Sequence, residues 1–230
     1  MTLQIPKPLR GEVIYPDSDG QPMADNTLQF EWITTIKGGL EAVFRDDPNV
    51  FVAGDLLWYP VEGDNTIRTA PDALVAFGRP KGYRGSYQQW REDGIAPQVV
   101  FEVLSPGNRY GELVRKFRFY EKYGVEEYYV YDPDHVELFG YLRSGDRFQD
   151  VPDMNGWVSP RLRIRFELGE GDLRIYGPDG RPFATYVELV RQREDLARKA
   201  EEQARKAEQE HHRAERLAAQ LRAMGVDPEN

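Results

Sequence analysis

A run of strand-forming residues with a carboxylate at its centre constrains this chain more than any other feature. In VVFEVLSP, residues 99–106, valine, phenylalanine and leucine surround Glu102, so the segment is predicted to be a buried strand. A buried anion is costly unless an opposite charge, hydrogen bonds or a metal ion compensates it. The strand therefore predicts either a structural ion pair or a functional site at Glu102.

Composition narrows the classes of protein. The chain has 230 residues, of which 40% are hydrophobic, enough for one well-buried domain with an appendage or for two small domains. The absence of cysteine excludes disulfides, thiolate metal sites and a cysteine nucleophile. No apolar run suits a signal peptide or a membrane span, so we expect a cytoplasmic protein. The net charge of −9 argues mildly against a large nucleic-acid-coating surface, but it allows a local basic groove or a metal that neutralises clustered acids.

The order of predicted elements indicates an α+β or α/β domain. Asn26 is predicted to cap a first helix, which the pair Gly38–Gly39 weakens or kinks. The elements after Asn26 are predicted in the order helix, three strands, helix, strand, over residues 27–44, 50–60, 71–77, 98–104, 110–124 and 126–134.

The rest of the chain predicts an extension and a separate helix. Residues 135–178 contain short strand-like pieces and turns, which indicate a β-meander that extends the domain. Residues 185–224 are rich in Ala, Glu, Arg and Lys and predict one long helix, either a thin coiled coil with an alanine-rich seam or a charged helix on its own. The predicted boundaries are therefore an N-terminal extension at 1–26, a domain at 27–184 and the helix at 185–224.

Two acids in neighbouring strands predict a metal site. Asp72 alternates with Leu74, and Glu102 alternates with Leu104, so each pair lies on one face of its strand. If the strands are neighbours, the carboxylates can approach each other, which raises one pKa or requires a cation between them. Oxygen ligands without cysteine favour Mg²⁺ or Mn²⁺, which can activate water and stabilise charge on a phosphate.

The following helix offers a basic partner. Lys116 borders the inward apolar stripe of residues 110–124, so its stem can pack while the ammonium reaches the two acids. Glu112 stands four residues earlier on the same helix and is placed to pair with it. Taken alone, each of these residues also fits a structural role: Glu102 an ion pair with an arginine, Asp72 a turn cap and Lys116 a surface charge.

Three segments together resemble the Uma2 family of endonucleases, which belongs to the PD-(D/E)XK or restriction-endonuclease-like superfamily. They are APDALVAF, PQVVFEVLSPGN and ELVRKFRFYEKYGVEEYYVYDPD, and the resemblance extends over roughly residues 27–135. It implies a core of helix, three strands, helix and strand, and a Mg²⁺-dependent endonuclease that acts on DNA. The predicted element order fits that core.

The resemblance also implies roles for individual residues. Asp72 corresponds to the first acid of the motif and Glu102 to the second, and the carbonyl of Val103 is expected to join them at the metal. The third motif position is Leu104 instead of lysine, a departure from the pattern, and Lys116 is expected to supply the ammonium from the next helix. The resemblance further implies an acid on the first helix. The candidates are Glu31 and Glu41, with Glu41 preferred.

The segment between the two acidic strands is a candidate for holding the substrate. Residues 78–97 interleave Arg79, Lys81 and Arg84 with aromatic side chains. Basic residues bind phosphates and aromatic rings stack on bases, so these three side chains are predicted to grip DNA. The alternative is a rim loop whose aromatic rings pack on the domain or on a second subunit.

Three functions remain open from the sequence. The first is a Mg²⁺-dependent nuclease in which Asp72 and Glu102 bind the metal and Lys116 activates or orients water. The second is a nucleic-acid-binding module of the same fold that does not cleave. The third is an interaction protein that assembles through the C-terminal helix, and a homodimer is the expected assembly.

Overall fold

The computed structural model describes residues 13–107 and 110–224, which form a mixed α+β fold with a central sheet and a C-terminal helix. The chain divides into two compact units, Met1–Phe183 and Ala184–Asn230. The helices are α1 (Thr27–Val43), α2 (Tyr110–Tyr123) and α3 (Tyr186–Ala223). The strands are β1 (Val50–Ala53), β2 (Trp58–Tyr59), β3 (Ala73–Phe77), β4 (Tyr87–Gln88), β5 (Val99–Val103), β6 (Glu127–Asp132), β7 (Glu137–Ser144), β8 (Arg147–Asp150), β9 (Arg165–Leu168) and β10 (Leu173–Tyr176).

Six strands form the main sheet in the order β1-β3-β5-β6-β7-β8. Strands β5 and β6 are parallel and are joined through α2, while the other neighbours are antiparallel. The predicted meander is divided between two sheets, because β7 and β8 extend the main sheet while β9 and β10 form a separate antiparallel pair. Strands β2 and β4 form a short parallel pair of their own.

The strand predicted over residues 50–60 is interrupted in the structure, and that prediction was wrong in its length. Strand β1 ends at Ala53, and Asp55 takes a φ of 47°, in the left-handed region that breaks strand geometry. The Asp55 amide donates instead to the carbonyl of Pro71 at 3.1 Å. The break leaves Asp55 beside the start of β3 and sends residues 58–59 to pair with β4.

The main sheet has a buried core on each face, as alternation along its strands requires. On one face Ala73, Val75 and Phe101 pack with Ile33 and other residues of α1. On the other face Leu74, Val100 and Tyr128 pack with Tyr120 of α2. The second face is the one on which Glu102 lies, because Glu102 is two residues from Val100.

Helix α1 begins at the predicted cap and packs one face against the core. The side chain of Asn26 caps it by accepting a hydrogen bond from the Gln29 amide at 2.8 Å. The buried positions are Gln29, Ile33, Ile36 and Leu40, whereas Leu28 is 41% exposed. The spacing of 29, 33, 36 and 40 therefore places a polar side chain, Gln29, in the interior.

Gly38 and Gly39 do not kink α1, which is continuous through both. A Cβ at Gly39 would overlap the ring of Phe183, whereas a Cβ at Gly38 would meet nothing within 4 Å. We expect Gly39→Ala to lower the free energy of unfolding by about 1–3 kcal/mol through overpacking. Gly38→Ala is the matched control and should raise it by about 1 kcal/mol through helix propensity. Urea unfolding of both variants checks the prediction, and equal effects would contradict the packing role of Gly39.

The second unit contains α3, a single helix of 38 residues. A capping box starts it, in which Thr185 and Glu188 satisfy each other's backbone amides. None of its residues is buried, and Leu189, Leu196, Leu217 and Leu221 are 38–66% exposed. Within the described residues, no helix combines the length and the apolar character that crossing a bilayer requires.

Candidate active site

Strand register places Asp72 and Glu102 beside each other, just before the start of β3 and near the end of the neighbouring strand β5. Ala73 of β3 stands opposite Phe101 of β5, so one further step along this antiparallel ladder places Asp72 opposite Glu102. Directly opposite residues project from the same face. Asp72 is 8% exposed and Glu102 is 3% exposed, so both carboxyl groups are largely removed from water.

Helix α2 provides two partners for Glu102. The Lys116 ammonium donates to Oε2 at 2.6 Å, and the Tyr120 hydroxyl donates to Oε1 at 2.5 Å. Lys116 and Tyr120 are four residues apart and so lie on one side of the helix. Both oxygens of the carboxylate are therefore held in place. This ion pair is the compensation that a carboxylate in a buried strand needs.

Asp72 is hydrogen-bonded to the backbone of β5, the strand that carries Glu102. Its Oδ2 accepts a hydrogen bond from the Val103 amide at 2.6 Å. Burial raises the pKa of Asp72 well above its usual range, and repulsion from Glu102 adds to this, although Lys116 and the Val103 amide oppose the shift. The site therefore holds two largely buried carboxyl groups and one ammonium, which is hydrogen-bonded to Glu102.

Lys116 is held in its charged form. Burial by itself lowers the pKa of the Lys116 ammonium, but attraction to Glu102 and Asp72 outweighs burial, and the pKa lies above its usual value. Glu112 contributes to this rise through its charge, but Lys116 forms its ion pair with Glu102. Glu102 is thus the hydrogen-bonded partner of Lys116, and Glu112 acts on Lys116 through its charge.

Asp55 is a further acid close to Asp72 and Glu102. Burial raises its pKa, and the charges of Asp19 and Glu102 raise it further while Lys116 lowers it. Gly54 allows the approach, because a Cβ at that position would lie 3.2 Å from the Asp72 carbonyl oxygen. The glycine before Asp55 was the only sequence signal for this close contact.

Gln29 is a residue that the sequence reasoning missed. Its side-chain amide donates to the Val103 carbonyl at 2.8 Å, and its oxygen accepts from the Asp25 amide at 2.8 Å. The carbonyl expected to face a metal is thus held by α1, although a carbonyl oxygen has a second lone pair. The inward spacing of Gln29 with Ile33 and Ile36 could have predicted this position.

The acids predicted on the first helix do not take part in these contacts. Glu41 pairs with Lys37 at 2.6 Å, and its side chain is 54% exposed. Glu31 is also exposed, while the inward position near the site belongs to Gln29. The expectation that Glu41 contributes to the site was therefore wrong, because the helix presents that residue to solvent.

The three basic residues predicted to grip DNA have partners within the protein. Arg79 and Arg84 both pair with Glu92, at 3.0 and 2.6 Å, and each side chain is only 13% exposed. Lys81 donates to the Phe44 carbonyl at 2.7 Å. These contacts hold the loop between β3 and β5 in place, and the substrate-gripping role of the three residues stays a prediction.

The donor set of the site fits a hard divalent cation. Asp72, Glu102 and the Val103 carbonyl offer only oxygen donors, which hard cations prefer. Within residues 13–107 and 110–224, no three Asp, Glu, His or Cys side chains cluster to hold a metal by themselves. Mg²⁺ usually keeps several waters and binds one or two carboxylates together with substrate phosphates, so Asp72 and Glu102 are enough protein ligands for it.

Comparisons with known proteins place the chain in a protein family. A family model described as "Uma2: Putative restriction endonuclease" matches residues 24–168, more than half of the chain. One solved structure, "a putative nuclease belonging to DUF820" from Anabaena variabilis ATCC 29413, is similar at 15% identity and a TM-score of 0.44. That similarity covers 59% of this chain and 72% of the other chain. No curated protein matched the sequence.

Proposed function

The chain belongs to the Uma2 family of restriction endonucleases, and from this premise we propose that it hydrolyses DNA phosphodiester bonds with a divalent cation at Asp72 and Glu102. The single observation that carries the proposal is the convergence of Asp72, Glu102 and Lys116 at one edge of the sheet. Asp72 directly precedes β3, Glu102 is in the neighbouring strand β5, and Lys116 is in α2, the helix that follows β5.

The topology supports a restriction-endonuclease-like core. Apart from the short β2 and β4 pair, the chain runs through α1, β1, β3, β5, α2 and β6 in that order. The first three of these strands form an antiparallel sheet, and β6 joins it in parallel to β5. This order supports the core of helix, three strands, helix and strand that the family resemblance implies.

Each residue has a distinct role in the proposed reaction. Asp72, Glu102 and the Val103 carbonyl would hold Mg²⁺ or Mn²⁺, which supplies a Lewis acid and lowers the pKa of bound water. Lys116 donates a hydrogen bond to Glu102, and its ammonium would orient water or a phosphate oxygen by donating hydrogen bonds. Tyr120 fixes the orientation of Glu102 through its hydroxyl.

The direct test is plasmid nicking by the purified protein. We expect cleavage with Mg²⁺, none with EDTA, and recovery when excess Mg²⁺ is added back. Glu102→Gln should remove the activity, because it removes one charge from the metal site, whereas Glu41→Gln, on a solvent-exposed acid, should cleave like the wild type. Cleavage in EDTA, or equal cleavage by Glu102→Gln, would contradict the proposal.

A second candidate function is nucleic-acid binding without cleavage. One observation favours it: Lys116 and Tyr120 already occupy both oxygens of Glu102. A binding module of this kind would show affinity that falls with salt and no product with any divalent cation. The nicking assay with Mg²⁺ and with Mn²⁺ separates the two functions.

We also propose that the protein is a homodimer through α3. Exposed apolar side chains recur at seven-residue spacing at both ends of the helix, Leu189 with Leu196 and Leu217 with the capping residue Met224. We expect the full chain to have twice its monomer mass in light scattering, and a chain that ends at Phe183 to be monomeric. A monomeric full chain, or a dimer that survives the truncation, would contradict this assembly.

A further inference from the structure

A groove lies between α2 and the strands β6 and β7, on the sheet face that carries Glu102. Its volume is about 560 Å³, within the range of small-ligand sites. The lining is mostly apolar and aromatic. It includes Leu104, Val114, Phe117, Val130, Phe139 and Tyr141.

Strand register makes this groove continuous with the candidate active site. Glu102 stands opposite Val130 of β6, and Val130 stands opposite Phe139 of β7. Successive strands are about 4.8 Å apart, so the floor of the groove begins one strand away from Glu102. Leu104, two residues after Glu102 on the same face, also lines it. A ligand bound through a phosphate at Glu102 could therefore extend directly into the groove.

Helix α2 contributes side chains both to the candidate active site and to the groove. Lys116 and Tyr120 reach Glu102 from one side of α2, while Val114, Phe117 and Arg118 line the groove from the other. A nucleotide whose phosphate lies near Lys116 would thus have its base within reach of these side chains.

The rim of the groove is aromatic and carries positive charge. Tyr110 is 84% exposed and Phe139 is 44% exposed, so two aromatic rings of the groove are open to solvent. Arg118 and Arg147 stand at the edge with one acid, Glu121, which pairs with Arg147 at 3.1 Å. The rim therefore has a positive balance on a chain whose net charge is −9. Stacking rings beside a cationic edge suit a base attached to a phosphate backbone.

We propose that this groove binds an unstacked nucleobase of the DNA strand that enters the active site. The inference rests on the proposed nuclease function, and it adds a substrate class: DNA with an unpaired nucleotide next to the bond that is cleaved. A base inside a duplex has both faces covered by its neighbours, so only an unpaired or extruded base can enter.

The test compares two probes of equal length and charge in EDTA, where no cleavage takes place. One is a fluorescently labelled single-stranded oligothymidylate, and the other is the same backbone with abasic sites throughout. We expect the wild-type protein to bind the oligothymidylate about tenfold more tightly, which corresponds to one stacked base.

Variants of the groove decide the assignment. Val114→Trp fills the groove and should make the two probes bind equally, and Phe139→Ala, an exposed position that tolerates truncation, should reduce the preference severalfold. Val158→Ala is the matched control, because Val158 is 42% exposed and does not line the groove.

Two results would overturn the base-binding groove. One is equal binding of both probes by the wild type, and the other is a preference that persists in Val114→Trp and Phe139→Ala. A change of oligomeric mass in Val114→Trp without a change in probe preference would assign the groove to a second copy of the chain. The binding comparison needs no metal. A failure of the base-binding proposal would therefore leave Mg²⁺-dependent nicking intact, and the probe preference could still be measured if the protein does not nick DNA.

Discussion

Asp72→Asn is expected to abolish DNA hydrolysis while making the metal-free fold more stable. Hydrolysis should fall by at least about 1000-fold, because the variant removes a charged ligand of the proposed cation. The free energy of unfolding should rise by about 1 kcal/mol, because burial and repulsion from Glu102 disfavour the ionised form of Asp72. The asparagine oxygen can still accept the hydrogen bond from the Val103 amide.

The pH dependence of stability provides a second readout for this variant. The pKa of Asp72 in the fold lies above its ordinary value of 3.8, so its contribution to stability is fully present below that value and is lost as pH rises through the folded-state pKa. In EDTA, wild-type stability should therefore fall over this window relative to Asp72→Asn.

The matched control is Asp46→Asn, at an acid whose side chain is 87% exposed. It should change neither hydrolysis nor stability by a measurable amount. If Asp72→Asn unfolds more easily than the wild type in EDTA, Asp72 has a structural role and the electrostatic account of the site is wrong.

Lys116→Met is expected to have the opposite effect on stability and the same effect on hydrolysis. Loss of the Lys116 ammonium leaves Glu102, whose side chain is 4% exposed, as a buried anion without an ion-pair partner. Removing one member of a buried pair typically costs about 3–5 kcal/mol, and the 20% exposure of the Lys116 side chain places the expected loss near the lower end. Hydrolysis should fall about 100- to 1000-fold.

A double variant separates the two effects of Lys116. Lys116→Met combined with Glu102→Gln removes the stranded charge, so it should regain most of the lost stability and none of the activity. Lys37→Met is the control for removal of a lysine from an exposed helical pair, and it should cost less than about 0.5 kcal/mol. Denaturant unfolding measures all four proteins. A loss in Lys116→Met no larger than in Lys37→Met would show that the ion pair with Glu102 is not buried in solution.

The sequence located the residues of the candidate site because they obey local periodicity. Asp72 and Glu102 occupy alternating positions in apolar strands, and Lys116 borders the apolar stripe of a helix, so period and spacing alone place them on particular faces. Gln29 also follows helical spacing, because it lies on the same face of α1 as Ile33 and Ile36. It was missed because only apolar residues were counted as part of the buried face.

Residues whose position depends on tertiary partners could not be placed in this way. Asp55 approaches Asp72 because the chain breaks after β1, and a single glycine was the only sign of that break. Arg79 and Arg84 were assigned to DNA because the sequence does not show that Glu92 lies between them. A basic loop and a loop cross-linked by its own acid have similar compositions, and only the folded contacts separate them.

The most direct measurement of the central claim is a crystal of the wild-type protein soaked with Mn²⁺, analysed by anomalous diffraction. We predict an anomalous peak between the carboxylates of Asp72 and Glu102, at metal–oxygen distances of about 2.1 Å. An empty position between these two side chains, with Mn²⁺ bound elsewhere or nowhere, would contradict a metal-dependent nuclease site at this edge of the sheet.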